Sequence, residues 1–88
     1  MKNLTDMEKY LGVRLATPEE AHNYHIVESI MNAMDDEAFN TALEIISAYV
    51  FSFRKERKIA YSRAYRLAKR LGVTVRMLDD WYNVDEYN

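Results

Sequence analysis

The sequence predicts an all-α fold, a small bundle of four to five helices. Only two Gly and one Pro occur in 88 residues, fewer than a sheet with frequent turns would need. Hydrophobic residues make up 49% of the chain and charged residues 30%, which is typical of a folded domain rather than a disordered one. At this length we expect one domain over residues 1–88, built around one core.

The first helix is expected close to the N-terminus. Thr5 and Glu8 have the spacing of a capping box, in which the hydroxyl accepts from a backbone N–H of the first turn and the carboxylate reaches back to the cap. This pair predicts a short helix over residues 6–11, which Gly12 ends.

The second helix is expected to begin at Thr17 and Pro18, because Pro fits the first helical position, where no N–H partner is needed. The acids that follow suit the positive end of the helix dipole. Apolar side chains then recur at spacings of three and four as far as Met34, which places them on one face as core candidates. They are Ala21, Tyr24, Val27, Ile30, Met31 and Met34.

The third helix is expected to start at the acidic residues 35–37 and to reach as far as Arg57, which would make it the longest element. Its apolar stripe is wider than one neighbouring helix would cover. This width favours the central helix of the bundle, with a partly exposed dimer surface as the alternative. The stripe consists of Phe39, Ala42, Leu43, Ile45, Ile46, Tyr49, Val50 and Phe53. The charged run 54–58 is then the solvated end of this helix.

Charge is distributed unevenly along the chain. From Met1 to Phe53 there are three basic and nine acidic residues, a net charge of 3 - 9 = -6. From Arg54 to Leu78 there are nine basic residues and one acidic residue, a net charge of 9 - 1 = +8. So basic a segment in an acidic chain is typical of a protein with one phosphate-facing surface, although a solvated helix face is the alternative interpretation.

The segment 64–83 meets the requirements of two helices that cross at a tight turn. Ala68 is the small residue that close packing needs, and Gly72 adopts the left-handed backbone conformation of the turn without steric cost. Thr74 can cap the following helix through its hydroxyl. Val75 is the one apolar residue among the positions expected to be exposed. The inner faces would form a small core of Leu67, Leu71, Val73, Leu78 and Trp81.

On these residues the segment resembles the helix-turn-helix family of bacterial and phage regulators, in particular the LGV-(S/T)-x-x-x-L-x-x-W form of excisionase-, repressor- and small-terminase-like domains. The resemblance covers Ala64 to Asn83, and the motif itself is expected within residues 63–82. It implies a small sequence-specific transcriptional regulator that binds duplex DNA. A homodimer is expected, because one short recognition helix reads too few bases to be selective alone.

The resemblance also implies a set of DNA-contacting residues. The second helix, 75–82, would lie in the major groove, where Arg76 would read guanine O6 and N7 and Val75 would touch a thymine methyl. Cations of the first helix would hold phosphates. Tyr61 and Tyr65 are expected in the core, with hydroxyl contacts to DNA as the alternative. The expected DNA-binding residues are Arg63, Arg66, Lys69, Arg70, Thr74, Val75 and Arg76.

Asp79 and Asp80 depart from the family pattern. They are expected on the exposed side of the recognition helix, where carboxylates oppose phosphates unless they pair with Arg76 or Lys69. This pair, the acidic first half of the chain and the wide apolar stripe favour an alternative function. The alternative is a phage- or plasmid-encoded protein–protein interaction module or inhibitor with a similar bundle that does not bind DNA.

Other classes of function find little support in the sequence. The absence of Cys removes disulfides and thiolate metal sites and is compatible with the cytoplasm, where we expect the protein. We expect no membrane association, because no apolar stretch approaches the length of a membrane span. Glu19, His22, His25 and Glu28 recur every three residues but rotate too far around a helix to hold a metal together. Without a nucleophile elbow or a glycine-rich phosphate loop, we expect neither enzyme activity nor a cofactor.

Overall fold

The computed structural model of the protein describes residues 17–87, with the side chains of residues 17–84. Four helices occupy this part of the chain, which confirms the predicted all-α class. The helix expected over residues 6–11, with its cap at Thr5, lies outside the described residues. The helices are α1 (Pro18–Asn32), α2 (Asp36–Val50), α3 (Lys55–Leu71) and α4 (Val75–Tyr87).

The central element of the bundle is α4, which packs against each of the other three helices. The prediction that the helix after Asp35 is central is therefore wrong, since α2 packs mainly against α3 and α4. One cluster of buried residues joins all four helices. Its largest fully buried side chains are Val27 and Met31 from α1, Ile46 from α2 and Leu78 from α4.

The N-terminus of α1 lies where the sequence predicts it. The hydroxyl of Thr17 accepts a hydrogen bond from the backbone N–H of Glu20 at 3.1 Å, and the Glu20 carboxylate accepts from the Thr17 N–H at 2.9 Å. This reciprocal pair satisfies two donors that a helix start leaves without partners, and Pro18 needs none. The helix ends at Asn32, slightly before the expected Met34.

The boundary between α2 and α3 differs from the prediction. The helix α2 ends at Val50 rather than near Arg57, and α3, with 17 residues against 15 in α2, is the longest of the described helices. The Ser52 hydroxyl donates to the Tyr49 carbonyl at 2.7 Å, and the Arg57 guanidinium donates to the Ser52 carbonyl at 3.2 Å. Arg54 has a φ of 57°, which is incompatible with a continuous helix.

Two expectations fail because of this break. Phe53, a predicted core residue, lies in the connection after α2 and is 67% exposed. The charged run 54–58 belongs to the start of α3 rather than to the end of α2. Its cations therefore lie at the positive end of a helix dipole, where the dipole does not stabilise them.

The connection between α3 and α4 is the tight turn that the sequence predicts. Gly72 has a φ of 77° and a ψ of 27°, and the Val73 N–H donates to the Ala68 carbonyl at 2.9 Å, which closes the end of α3. Thr74 accepts the Met77 N–H through its hydroxyl at 3.2 Å and so caps α4. Ala68 is buried as expected.

Substitution of Gly72 tests the role of this backbone conformation. We expect Gly72→Ala to lower the free energy of unfolding by about 1 kcal/mol, because a Cβ disfavours the left-handed region. The cost should come from the backbone alone, since an added Cβ would meet no atom within 4 Å. Urea denaturation measures the loss, and Gly72→Asn, which tolerates this region better, should lose less. Equal losses for both variants would contradict the backbone explanation.

The predicted core between α3 and α4 is largely confirmed. Leu67, Leu78 and Trp81 are buried, whereas Leu71 and Val73 are half-buried and pack against the same cluster. The ring of Phe39 from α2 meets Trp81 edge to face, with centroids 6.4 Å apart. Among the described helices, none combines the length and the apolar character that crossing a membrane requires.

Candidate nucleic-acid interface

The exposed face of α3 is cationic. Seven Lys and Arg residues and one acid, Glu56, lie within this helix, and each of the seven cations is exposed. None of them forms a salt bridge with a described carboxylate. By contrast, residues 17–53 contain seven acids and neither Lys nor Arg. Positive charge in the described bundle is therefore concentrated on one helix.

The expected phosphate-binding residues of α3 divide between its two flanks. Arg63, Arg66 and Arg70 line a shallow depression beside Ile45 of α2. Lys69 lies on the opposite flank, where it lines a groove together with the first turn of α4. The structure thus brings Lys69 close to the expected base-contacting residues and places the three arginines on a separate flank of the same helix.

The start of α4 presents one cation to solvent. The Arg76 side chain is 71% exposed, and its Nε lies 3.8 Å from Oδ2 of Asp80. Thr74 is also exposed, with its hydroxyl engaged in capping α4. Arg76 is therefore held near the surface by a carboxylate one helical turn away.

Val75 lines the groove beside Arg76 but exposes little of its side chain. It was expected to be exposed and to touch a thymine methyl, but it is only 9% exposed and belongs to the core. The reason is the central position of α4, whose contacts with three helices bury most of its circumference. The expected exposure of Val75 is therefore wrong, and its contact with a thymine methyl stays a prediction.

Asp80 is buried, contrary to the expectation that it faces solvent. It is 6% exposed, and its Oδ2 accepts a hydrogen bond from Nδ2 of Asn23 on α1 at 2.8 Å. The expected pairing with Arg76 is confirmed by the 3.8 Å contact. These two partners compensate a charge that would otherwise be costly to bury, so Asp80 connects α4 to α1 and orients Arg76.

Asp79 is half-buried beside this pair rather than on an open face. Burial, and then the neighbouring charge of Asp80, raise the pKa of its carboxyl above the ordinary value of 3.8, and Arg57, Asn83 and Arg76 oppose this shift only in part. The ionised form is therefore less stable in the folded protein than in the unfolded chain.

Replacing this carboxyl should alter the dependence of stability on pH. The folded state binds the Asp79 proton more tightly than the unfolded chain does. Binding of this proton therefore stabilises the fold fully below pH 3.8, and the stabilisation is lost as the pH rises through the raised pKa. We expect Asp79→Asn to be more stable than the unsubstituted protein at neutral pH, with the difference vanishing in acid. Thermal unfolding from pH 3 to pH 8 would show this, and an unchanged or lower midpoint at neutral pH would contradict it.

A row of tyrosine rings lines the groove between α3 and the start of α4. Tyr61 and Tyr65 were expected in the core but are 47% and 51% exposed. The centroid of the Tyr61 ring lies 5.9 Å from that of Tyr49 and 6.2 Å from that of Tyr65. The rings of Tyr61 and Tyr65 are only 26° from parallel. The groove has a volume of about 660 Å³ and is also lined by Lys69, Thr74, Arg76 and Asp79. The four-residue spacing of Tyr61 and Tyr65 is the sequence signal for this row, because such residues share a helix face.

The histidines of α1 lie apart from this surface. His22 and His25 are exposed, and His25 makes an edge contact with the ring of Tyr24. No three His, Asp or Glu side chains among the described residues are grouped so as to hold a metal ion.

No protein-family model, curated protein or solved structure matches the chain. What the described residues offer is a cationic helix face beside a tyrosine-lined groove.

Proposed function

We propose that the protein binds duplex DNA through the exposed face of α3 and the first turn of α4, as a small sequence-specific regulator of transcription. The main support is the concentration of seven exposed cations on α3, in a chain whose residues 17–53 have none. Cations grouped on one face neutralise phosphates and release counterions, which is the largest sequence-independent contribution to DNA affinity.

The arginines of α3 suit a role in positioning the protein on the DNA backbone. Arg63 and Arg70 are separated by about 10 Å along the helix axis at 1.5 Å per residue, with Arg66 between them. The three guanidinium groups are therefore close enough together to contact neighbouring phosphates of one strand. Such contacts fix the orientation of the protein without reading sequence.

Base reading is assigned to Arg76. It is the exposed cation in the first turn of α4, and its salt bridge with Asp80 restricts the conformations of the guanidinium before binding. Because Val75 is buried, the exposed surface at the start of α4 is narrow, and Arg76 is its one exposed side chain after the cap. Asp79 and Asn83 lie farther along the helix and are half-exposed. One copy would read few bases, so a homodimer on two half-sites is part of the proposal. Sedimentation that finds only monomers on DNA would contradict it.

An NMR titration would locate the interface. A 20-base-pair duplex is added to the 15N-labelled protein, and the amide shifts are followed at low salt. The proposal predicts that the largest shifts occur along the exposed face of α3 and at residues 74–77, while α1 is unchanged. Shifts confined to α1 and α2, or none, would contradict it.

The alternative, a protein-interaction module, is favoured by one observation. Phe51, Phe53 and Ile59 are 65%, 67% and 64% exposed, at and just after the connection between α2 and α3. Exposed large apolar side chains close to one another in the chain are typical of protein-binding surfaces. If this function is the right one, Phe53→Ala should abolish binding to a protein partner, and removal of the α3 cations should have little effect on it.

A further inference from the structure

We propose that the groove between α3 and the first turn of α4 binds unpaired nucleotides, whose bases stack on Tyr61 and Tyr65. The inference deepens the proposed function, and it rests on that function in taking nucleic acid as the partner. It adds a second mode of contact, because a duplex hides the faces of its bases and a groove lined by rings can use only bases that are unstacked.

The tyrosine row has the geometry of a stacking platform. Tyr61 and Tyr65 are each about half exposed, and their rings lie 26° from parallel with centroids 6.2 Å apart. Tyr49 continues the row, but the guanidinium of Arg57 lies 4.7 Å from the centre of its ring. Tyr61 and Tyr65 are therefore the more accessible rings, and a base can stack on either of them whatever its identity.

Polar groups in the same groove suit the rest of a nucleotide. Lys69 and Arg76 line it and supply cations for a backbone phosphate. Asp79 also lines it, and its carboxylate oxygens can accept hydrogen bonds from the amino group of a base. Asp80 also lines the groove, but it is 6% exposed and its Oδ2 is engaged by Asn23 and Arg76, which weakens its repulsion of a phosphate.

The size and continuity of the groove fit this ligand. Its volume of about 660 Å³ lies within the range of roughly 300 to 1,000 Å³ that is usual for sites of small organic molecules. Lys69 belongs both to the groove and to the cationic helix α3, so a strand held by α3 would reach the tyrosines beside this cation.

The test compares two labelled DNAs, a perfect 20-base-pair duplex and the same duplex with a three-nucleotide single-stranded gap. Fluorescence anisotropy is measured for the unsubstituted protein, Tyr65→Ala, Tyr65→Phe and Phe53→Ala. The last variant removes an exposed ring that does not line the groove. Circular dichroism melting shows whether each variant is folded.

We expect the protein to bind the gapped DNA more tightly than the perfect duplex. Tyr65→Ala should weaken binding to the gapped DNA about tenfold and leave the perfect duplex unaffected, whereas Tyr65→Phe, which keeps the ring, and Phe53→Ala should behave like the unsubstituted protein. Equal affinities for the two DNAs, or no effect of Tyr65→Ala on a folded protein, would overturn the inference.

The two proposals fail separately in this experiment. Binding of the gapped DNA alone would support the groove as a site for unpaired nucleotides and contradict duplex binding. Binding of both DNAs with equal affinity would support duplex binding and overturn the stacking site. If neither DNA binds, both proposals are wrong.

Discussion

Leu78→Ala should lower the free energy of unfolding by about 3 kcal/mol, a larger loss than we expect for Gly72→Ala. Leu78 is fully buried on α4, the helix that packs against the other three. Its truncation removes apolar contacts from several helices at once and leaves a cavity that rigid neighbours cannot fill. A domain of this size has a total stability of only about 5 to 10 kcal/mol, so the variant should lose a large part of it.

Urea denaturation followed by circular dichroism measures this effect. Met77→Ala is the matched control, because Met77 is next in the chain but only half-buried. We expect it to lose roughly 1 kcal/mol. A loss below about 1 kcal/mol for Leu78→Ala, or an equal loss for both variants, would contradict the central position of α4.

The double substitution of Arg66 and Arg70 by Ala should weaken binding to duplex DNA by roughly 50- to 100-fold near 0.1 M salt. Each lost phosphate contact reduces the slope of log affinity against log salt concentration by about 0.9. Near 0.1 M salt this change lowers the affinity nearly tenfold for each contact. Both side chains are exposed and neither forms a salt bridge with a described residue, so their removal should leave the stability of the fold almost unchanged.

A charge-preserving control separates phosphate binding from other effects. The double substitution of Arg66 and Arg70 by Lys keeps both charges at these positions, and we expect most of the affinity and the full salt slope to remain. Titrations at several salt concentrations give both quantities. If the Ala and Lys variants bind equally well, these arginines do not contact phosphates.

The features that the sequence predicts correctly are local. The start of α1 depends on residues 17–20, and the turn between α3 and α4 depends on Gly72 and Thr74. In each case the determining hydrogen bonds join residues within about one helical turn of one another. The start of α1 was predicted from Thr17, Pro18 and the acids that follow, and the structure adds the capping box between Thr17 and Glu20.

The end of α2 was not predictable from local pattern. Apolar residues keep their helical spacing through Phe53, and no Gly or Pro marks the break. The chain leaves the helix where Ser52 bonds back to Tyr49 and Arg57 reaches the Ser52 carbonyl, an arrangement that periodicity does not contain. The same periodicity wrongly placed Phe53 in the core.

The errors at the candidate interface have a tertiary cause. Asp80 is buried because Asn23, 57 positions away, provides a hydrogen bond, and Val75 is buried because α4 is surrounded by three helices. Both residues were expected to be exposed, and both are buried by contacts that only the tertiary structure provides. Tyr61 and Tyr65 are exposed because the buried face of α3 is occupied by small and aliphatic side chains, Ala64, Leu67 and Ala68.

The most direct test of DNA binding by α3 is fluorescence anisotropy of the unsubstituted protein with a random-sequence duplex at 50 mM and 200 mM salt. The cationic face predicts binding at the lower concentration that weakens at least about tenfold at the higher one, because several phosphate contacts release counterions together. No binding at 50 mM salt, or an affinity that salt does not change, would contradict DNA binding through α3.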